Sequence, residues 1–460
     1  MGSLFSILHM SSNALGAFQQ AMNVTANNTA NASTPGYAKQ VAQFESQPFD
    51  TQTAVGGGVA YEGTVDTRDQ YAEQNVRQCV SDQGEATQES QQYTSLQAVF
   101  PIDGQSGISP ALSGFFNAFS ALTTTPNDSS LRQNALDSAQ QVAQAFNQSI
   151  NQLDQVSQGV QQDLTAQVGQ VNQIAQQIAS INQQIEENAG AATDPGLSAN
   201  MSQALEQLAQ YADVTAATQD NGTVNVSVGQ ASIVSGDTSL PLQWVPGAGQ
   251  MVLEDSQGND VSQGLESGSI KAALNMTRNV IPATVASLNQ LAQSFATAVN
   301  GALEGGVDQT GIPQGNLQAQ DLFTFSAANG AAATISVNPL TTSQLALAAP
   351  TAAGGNAIAV QVANLQQATN LIPGQTQTLS QNYANQVAQV GQMVSNAQND
   401  QTTTVSLTAQ AQAARQSVQG VSLDEEAMNL LEYQSGYEAM SKFVQVIDEI
   451  TLELINDMVQ

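Results

Sequence analysis

The sequence predicts a mainly α, elongated, multidomain protein: a long-helix bundle with inserted β modules and coiled-coil helices at its two ends. Three observations predict it. Apolar residues recur at heptad spacing over about sixty residues in the first half of the chain. The same spacing returns at both termini. Near residue 214, and again beyond 305, the period shifts towards two between Gly, Asn and Pro signals.

Each segment follows from its residues. Within 1–70, residues 4–32 form an amphipathic helix whose seam is Leu8, Leu15 and Met22, with Phe18 complementing it. Pro35 and Gly36 end it, and 37–70 alternates as extended segments around Gly56, Gly57 and Gly58. The first part of the long-helix domain is 71–215. It holds a helix to about Phe100 and a short helix that Ser109 is expected to cap, with Pro110 in its first turn. A helix from about 129 to 189 follows, with Phe146, Ile150, Leu153, Val160, Leu164, Val171, Ile174, Ile178, Ile181 and Ile185 on one stripe. Sixty helical residues span about 90 Å and need several partner helices. Residues 216–262 are a β insertion, with Asn221-Gly222 as its hairpin signal. Residues 263–304 return to helix, which Pro282 is expected to kink. A small second β/loop insertion, 305–356, precedes the returning helical part, 357–420, where Gly391 and the stretch 401–407 read as interruptions. Residues 421–460 are the C-terminal helix, which pairs with the first segment. Leu423, Leu430, Tyr437 and Val444 lie seven apart, and Tyr433, Met440, Ile447 and Leu454 supply the other seam. Ser422 and Glu425 have capping-box spacing, and Glu425 and Glu426 read as helix-start or solvated acids.

Composition excludes several functions. Only 10% of residues are charged, with 8 Lys+Arg against 38 Asp+Glu, giving −30. The cations are scattered singly along the chain, so neither nucleic acid nor an anionic membrane is an expected partner. With one cysteine (Cys79) and one histidine (His9), no intramolecular disulfide, Cys-based zinc cluster or two-His metal site can form. No catalytic, cofactor-binding or metal-binding residues are expected, and the chain reads as a non-enzyme. No run of 18 apolar residues is present, and the N-terminus makes a poor secretory signal.

Two motifs carry a resemblance. The stretch NVTANNTANASTPGYAKQ (23–40), with Asn27, Asn28, Asn31, Gly36 and Tyr37, resembles the N-terminal signature of the flagellar rod/hook axial protein family. Residues Gly420–Asn456 resemble the C-terminal signature of the same family. The interior, with LRQNALDSAQQVAQAFNQ and LESGSIKAALNMTRNVIPATVASLNQLAQSFATAVN, is similar to its hook-associated, hook–filament junction members. Asn27, Asn28 and Asn31 suit a close-packed interface where charges are costly.

The resemblance implies a structural, motility-related subunit that assembles with itself in a helical array. It implies hook protein on one side, and a second junction protein and the flagellin filament on the other. It also implies type III export, transient cytoplasmic residence and an export chaperone on the C-terminal seam, before secretion to the extracellular flagellum. The inserted modules are short for such a family. Another axial subunit (hook, rod or flagellin-like) is the nearest alternative, and a secreted coiled-coil adhesin a more distant one.

Overall fold

The structure, a computed structural model, describes residues 2–47, 49–50, 55–101, 104–188, 193–247, 251–313, 321–352 and 354–459. Helix α1 (Gly2–Asn31) is followed by strands β1 (Gln40–Ser46), β2 (Phe49–Asp50), β3 (Val55–Gly56) and β4 (Val59–Asp66). β1 pairs antiparallel with β4, and β2 with β3. Helices α2 (Gln70–Gln97), α3 (Ile108–Leu122), α4 (Ser129–Glu187) and α5 (Pro195–Ala209) come next. Strands β5 (Val214–Thr218), β6 (Val224–Val228), β7 (Ala231–Ser235) and β8 (Thr238–Ser239) make an antiparallel meander, and β9 (Gln243–Pro246) pairs with β10 (Met251–Glu254). Asn221 and Gly222 lie in the β5–β6 turn, with Gly222 at φ 85°.

Helix α6 (Ser269–Asn275) passes through a π turn, Met276–Val280, into α7 (Ile281–Glu304). Ile281 N–H bonds back five residues to Met276 O. Pro282 therefore sits in the first turn of α7, where its missing N–H costs least, and the helix adjusts by a π bulge. Strands β11 (Phe323–Thr324) and β12 (Ser336–Val337) flank the short α8 (Ala331–Thr334). Helices α9 (Ala357–Asn364), α10 (Leu379–Gln419) and α11 (Leu423–Val459) complete the chain.

Several helices start on side-chain caps. Asp69, Asp128 and Asp194 accept from first-turn N–H groups of α2, α4 and α5. Thr378 and Gln381 form a reciprocal capping box on α10. Two helix expectations fail. Ser109 does not cap α3: the helix starts at Ile108, which is fully buried, and the cap position is Gly107 at φ 86° with no side-chain bond. Nor do Gly391 and 401–407 interrupt α10. The hydroxyls of Thr402, Thr403, Thr404 and Ser406 bond to carbonyls four residues back, so the polar run satisfies itself within the helix. The break comes instead at 365–378. The 322–339 stretch, which carries the β character of the 305–356 insertion, keeps two-residue strands and spends Ala331–Thr334 on a helical turn. Parts of the predicted loops (102–103, 189–192 and 314–320) lie outside the described residues.

The core sits in the body. Phe115, Phe116, Phe119, Phe295 and Phe323 pack ring to ring at centroid distances of 4.7–6.1 Å, joining α3, α7 and β11. The stripe predicted on α4 is buried along its length. α2 and α10 run antiparallel, with Thr408 Oγ1 donating to Cys79 O at one level and Gln97 beside Gly391 at another. Among the described residues, the contiguous core cluster contains none from α1, from the β1–β4 hairpin or from α11.

Polar groups tie the layers together by one repeated device. Asn172 on α4 bonds both N–H and C=O of Leu242 at 2.8 Å. Asn182, fully buried on α4, does the same to Val224 at 2.9 and 2.8 Å, and Asn300 on α7 to Phe323 at 3.0 and 2.7 Å. An uncharged amide offers a donor and an acceptor side by side, so it can replace a strand neighbour for one residue of extended backbone.

Among the described glycines, the tightest contact is at Gly84. A Cβ there would overlap the Gln210 carbonyl oxygen at the end of α5. Gly84→Ala is expected to destabilise the body by about 1–3 kcal/mol, the usual cost of overpacking. Thermal unfolding compared with Gly159→Ala, where a Cβ meets nothing within 4 Å, checks this; equal midpoints would show that the crossing relaxes freely.

Candidate functional site

α1 and α11 pair with each other. Asn28 meets Glu426; ten residues back on α1 and ten on along α11, Phe18 meets Gly436. The pair is therefore antiparallel. A Cβ at 436 would lie 2.8 Å from two carbons of the Phe18 ring, so the glycine is the hole that receives it. The buried face of α1 is Ser11, Ala14, Ala17, Ala21, Thr25 and Asn28. The predicted N-terminal seam residues Leu8, Leu15, Phe18 and Met22 flank that stripe, half-buried. On α11, Leu430, Tyr433, Tyr437, Met440, Val444 and Ile447 are half-buried, and the register sets Tyr433 level with Ala21 and Met440 level with Ala14. Large side chains on one helix thus face small ones on the other. Leu423 and Leu454, the outermost of the predicted C-terminal seam, are exposed. So are Leu431, Phe443, Val446, Ile450 and Leu452, at 41–64%.

The hairpin braces the pair. The Phe44 and Tyr433 rings meet edge to face at 6.3 Å, and Gly58 lies where a Cβ would come within 2.6 Å of the Met10 side chain.

At the root of the pair, the Asn28 amide is fully satisfied. It donates to Gln40 O at 2.8 Å and to Glu426 Oε2 at 3.1 Å. It accepts from Gln40 N–H at 2.8 Å and from the Tyr37 hydroxyl at 2.9 Å. This is a fourth use of the amide-to-backbone device. Burial, and then the Glu426 carboxylate, push the Tyr37 hydroxyl up to about 12. Lys39 Nζ reaches Glu425 at 2.5 Å and Glu426 at 3.6 Å. Glu426 stands in the first turn of α11, as the helix-start reading expects, but at 1% exposed it is not a solvated acid: Asn28 and Lys39 provide the partners that burial requires. Glu425 is exposed, and its backbone N–H donates to the Ser422 hydroxyl at 3.4 Å, as the capping spacing implies. Asn27 and Asn31 lie on the outer side of α1, where Asn31 Nδ2 donates to Asn27 Oδ1 at 2.7 Å. Gly36 turns the chain at φ 76° against Ala199 O, which a Cβ would approach to 2.6 Å.

A second knot fastens this root to the body. Glu73 on α2 is 4% exposed. Its carboxylate accepts from Arg68 at 2.7 Å, Gln419 at 2.6 Å, Ser202 at 2.9 Å and Arg415 at 3.3 Å. Arg415 also bridges to Glu206 on α5 at 2.7 Å. Gln419 Oε1 accepts the Asp69 N–H, and Gln419 O accepts the Lys39 N–H. Half of the cations that look scattered in sequence are therefore gathered near the root: Arg68 and Arg415 meet on Glu73, Arg77 lies within electrostatic reach of it, and Lys39 pairs with the neighbouring Glu425 and Glu426. A polar cavity of about 750 Å³ opens beside them, lined by Gly36, Gln203, Gln412 and Arg415 among others. Sequence reasoning misses this knot. Its only signal is the rarity of cations, which makes each one informative.

Burial pushes the Glu73 carboxyl up, but Gln419, Arg68, Arg415 and Ser202 outweigh it and hold it below its usual 4.5. A carboxyl lowered by folding stabilises above its unfolded value, and that contribution is lost as pH falls through the folded value. Glu73→Gln is expected to cost about 3 kcal/mol at neutral pH, by leaving the half-buried Arg68 and Arg415 under-compensated. The gap to the parent protein should narrow below pH 4.5. Denaturation midpoints from neutral pH down to about pH 3 test it; a constant gap would rule out the ionised Glu73 as the cause.

Among the described residues, no group of three or more His, Cys, Asp and Glu could hold a metal, and no helix is long and apolar enough to cross a membrane.

The end helices pair antiparallel and are rooted on a helical body that holds the core cluster, and comparison with known proteins shows the class of subunit to which this arrangement belongs: the flagellar axial proteins. The model for flagella basal body rod proteins matches residues 8–37, and that for the C-terminal region of flagellar basal body rod FlgEFG proteins matches 414–457. The model for the helical domain of the flagellar hook-associated protein FlgK matches residues 93–323, half of the chain, and the chain belongs to that family. Flagellar hook-associated protein 1 of Bacillus subtilis is 25% identical over 518 residues, covering 100% of this chain and 99% of its own. The protein of that name from Salmonella typhimurium is 26% identical over 353 residues, covering 72% of this chain and 63% of its own. The solved structure of the flagellar hook junction protein FlgK from Burkholderia pseudomallei shares the fold, with a TM-score of 0.68 at 16% identity over 75% of this chain and all of that one.

Proposed function

We propose that this chain is a structural subunit of the extracellular bacterial flagellum that polymerises at the hook–filament junction and lets the filament assemble on the hook. The observation that carries the reading is the state of α11. One face is matched to α1, yet Leu431, Phe443, Val446, Ile450 and Leu452 remain exposed on the same helix. Apolar side chains in such number on one helix mark an interaction surface. The chain acts by assembly, with no chemistry, and its neighbours are further copies, hook protein and the filament side of the junction. Leu430, Tyr437 and Val444 belong to the surface that a cytoplasmic export chaperone would shield before export.

Deleting the gene tests this. Cells are expected to keep hooks, lose filaments and shed flagellin into the medium, as seen by electron microscopy, and to regain filaments when the gene is restored. Filaments persisting in the deletion strain would point to another axial subunit.

A further inference from the structure

Three asparagines of the chain are followed by glycine: Asn221-Gly222, Asn300-Gly301 and Asn329-Gly330. In this dipeptide the glycine has no Cβ to obstruct its own backbone nitrogen, which can reach the Asn Cγ and close a cyclic imide. The fold treats the three pairs differently.

Asn300 lies inside α7 and is 8% exposed. Its amide is committed to Phe323, accepting from the N–H at 3.0 Å and donating to the carbonyl at 2.7 Å. Ring closure there would break both bonds and pull Gly301 out of the helix. Asn221 is exposed, but its Oδ1 accepts from the Thr223 N–H at 3.1 Å and from the Thr223 hydroxyl at 2.8 Å. The Gly222 N–H donates to Gln219 O at 2.9 Å, so electrophile and nucleophile are both held. Asn329 is exposed in the turn before α8, and its carboxamide meets no hydrogen-bond partner among the described residues. Its backbone N–H is tied to Ser326 Oγ at 3.2 Å, which leaves the side chain free to turn towards Gly330.

We propose that Asn329 is a site of self-modification, where the folded protein deamidates while hydrogen bonds protect Asn221 and Asn300. The Gly330 nitrogen gives up its proton and bonds to Asn329 Cγ. The bond from Cγ to the side-chain nitrogen breaks, and ammonia leaves with the proton. Water then opens the imide at one carbonyl or the other, giving aspartate or isoaspartate. Either product adds a negative charge to a chain already at −30. The isoaspartyl form also lengthens the backbone by a methylene just before Gly330, whose φ of 87° leads into the Ala332 N–H bond to Asn289 Oδ1 at 2.9 Å. The turn that seats α8 on α7 is therefore the part of the fold that the change reaches.

The test uses the purified full chain, held for weeks at mildly alkaline pH. Peptide mass spectrometry reads amide-to-acid conversion at each asparagine, and methylation by an isoaspartyl methyltransferase reads the rearranged product. Conversion at Asn329 should exceed that at Asn221 and Asn300 by about tenfold or more, since the two held sites cannot reach the attack geometry. In urea, which removes the folded structure, the three should react at similar rates. Asn329→Gln keeps the amide but needs a ring one atom larger, and should abolish most of the methyltransferase signal. Equal conversion of Asn221 or Asn300 in the folded protein would overturn the proposal. So would an Asn329 that reacts in urea and stays intact when folded, or a methyltransferase signal that Asn329→Gln leaves unchanged.

Discussion

Asn28→Leu is expected to release α1 from α11 while leaving the body folded. The substitution removes four hydrogen bonds and strands the Gln40 backbone, the Tyr37 hydroxyl and part of the Glu426 carboxylate in a buried place. Each orphaned group costs about 1–3 kcal/mol, and the charged one more. The total is about 4 kcal/mol or more, set against a helix pair that stands outside the core cluster. Hydrogen exchange should show protection falling across α1 and α11, with α4 and α7 unchanged. Asn28→Asp should do little better, since it places a second carboxylate against Glu426 and has no donor for Gln40 O. Combining Asn28→Asp with Glu426→Gln should recover part of the loss, because the introduced amide would donate where the Glu426 carboxylate accepted. If Asn28→Leu leaves exchange in α1 unchanged, the amide does not hold the pair. If it melts α4 as well, the ends and the body are one cooperative unit.

The same residues show what a sequence can display. The α4 stripe is legible because a long helix with large apolar residues every three or four positions has few ways to pack. The terminal seam is harder. Periodicity marks Leu8, Leu15 and Met22 as a column, but the neighbouring column, Ala14 and Ala21, is the one fully buried. Small residues let the helices close, and a hydrophobicity pattern ranks them low. Glu426 and Glu73 are illegible for another reason. Apart from Arg68, five residues before Glu73, their partners lie more than a hundred positions away in sequence, among them Asn28, Arg415 and Gln419, and an acid reads as surface until a donor is placed beside it. The run 401–407 misleads in the opposite way: β-branched hydroxyl residues favour breaks, but here they bond back along their own helix.

A chain ending at Gly420 is expected to keep its body and lose assembly. The cut spares every partner of Glu73 named above, including Gln419 and Arg415, and the Lys39 N–H bond to Gln419 O. The core cluster, running from Leu96 to Val390, loses nothing. What disappears is α11, and with it the side chains that cover Ala14, Ala17 and Ala21 and the Glu426 carboxylate that Asn28 meets. A helix in a protein draws most of its stability from packing of its apolar face, and α1 loses that cover. Circular dichroism should therefore show more helix lost than the 37 residues of α11, by up to the 30 of α1. The thermal transition of the body should move by less than about 2 °C, since no core contact is removed. In cells, the truncated chain should be absent from purified flagella, and filaments should be missing although hooks form. A truncated protein that still supports filaments would show that the body alone makes the essential contacts. A body that unfolds on truncation would show that the polar root at Glu73 and Asn28 carries stability in both directions across the boundary between ends and body.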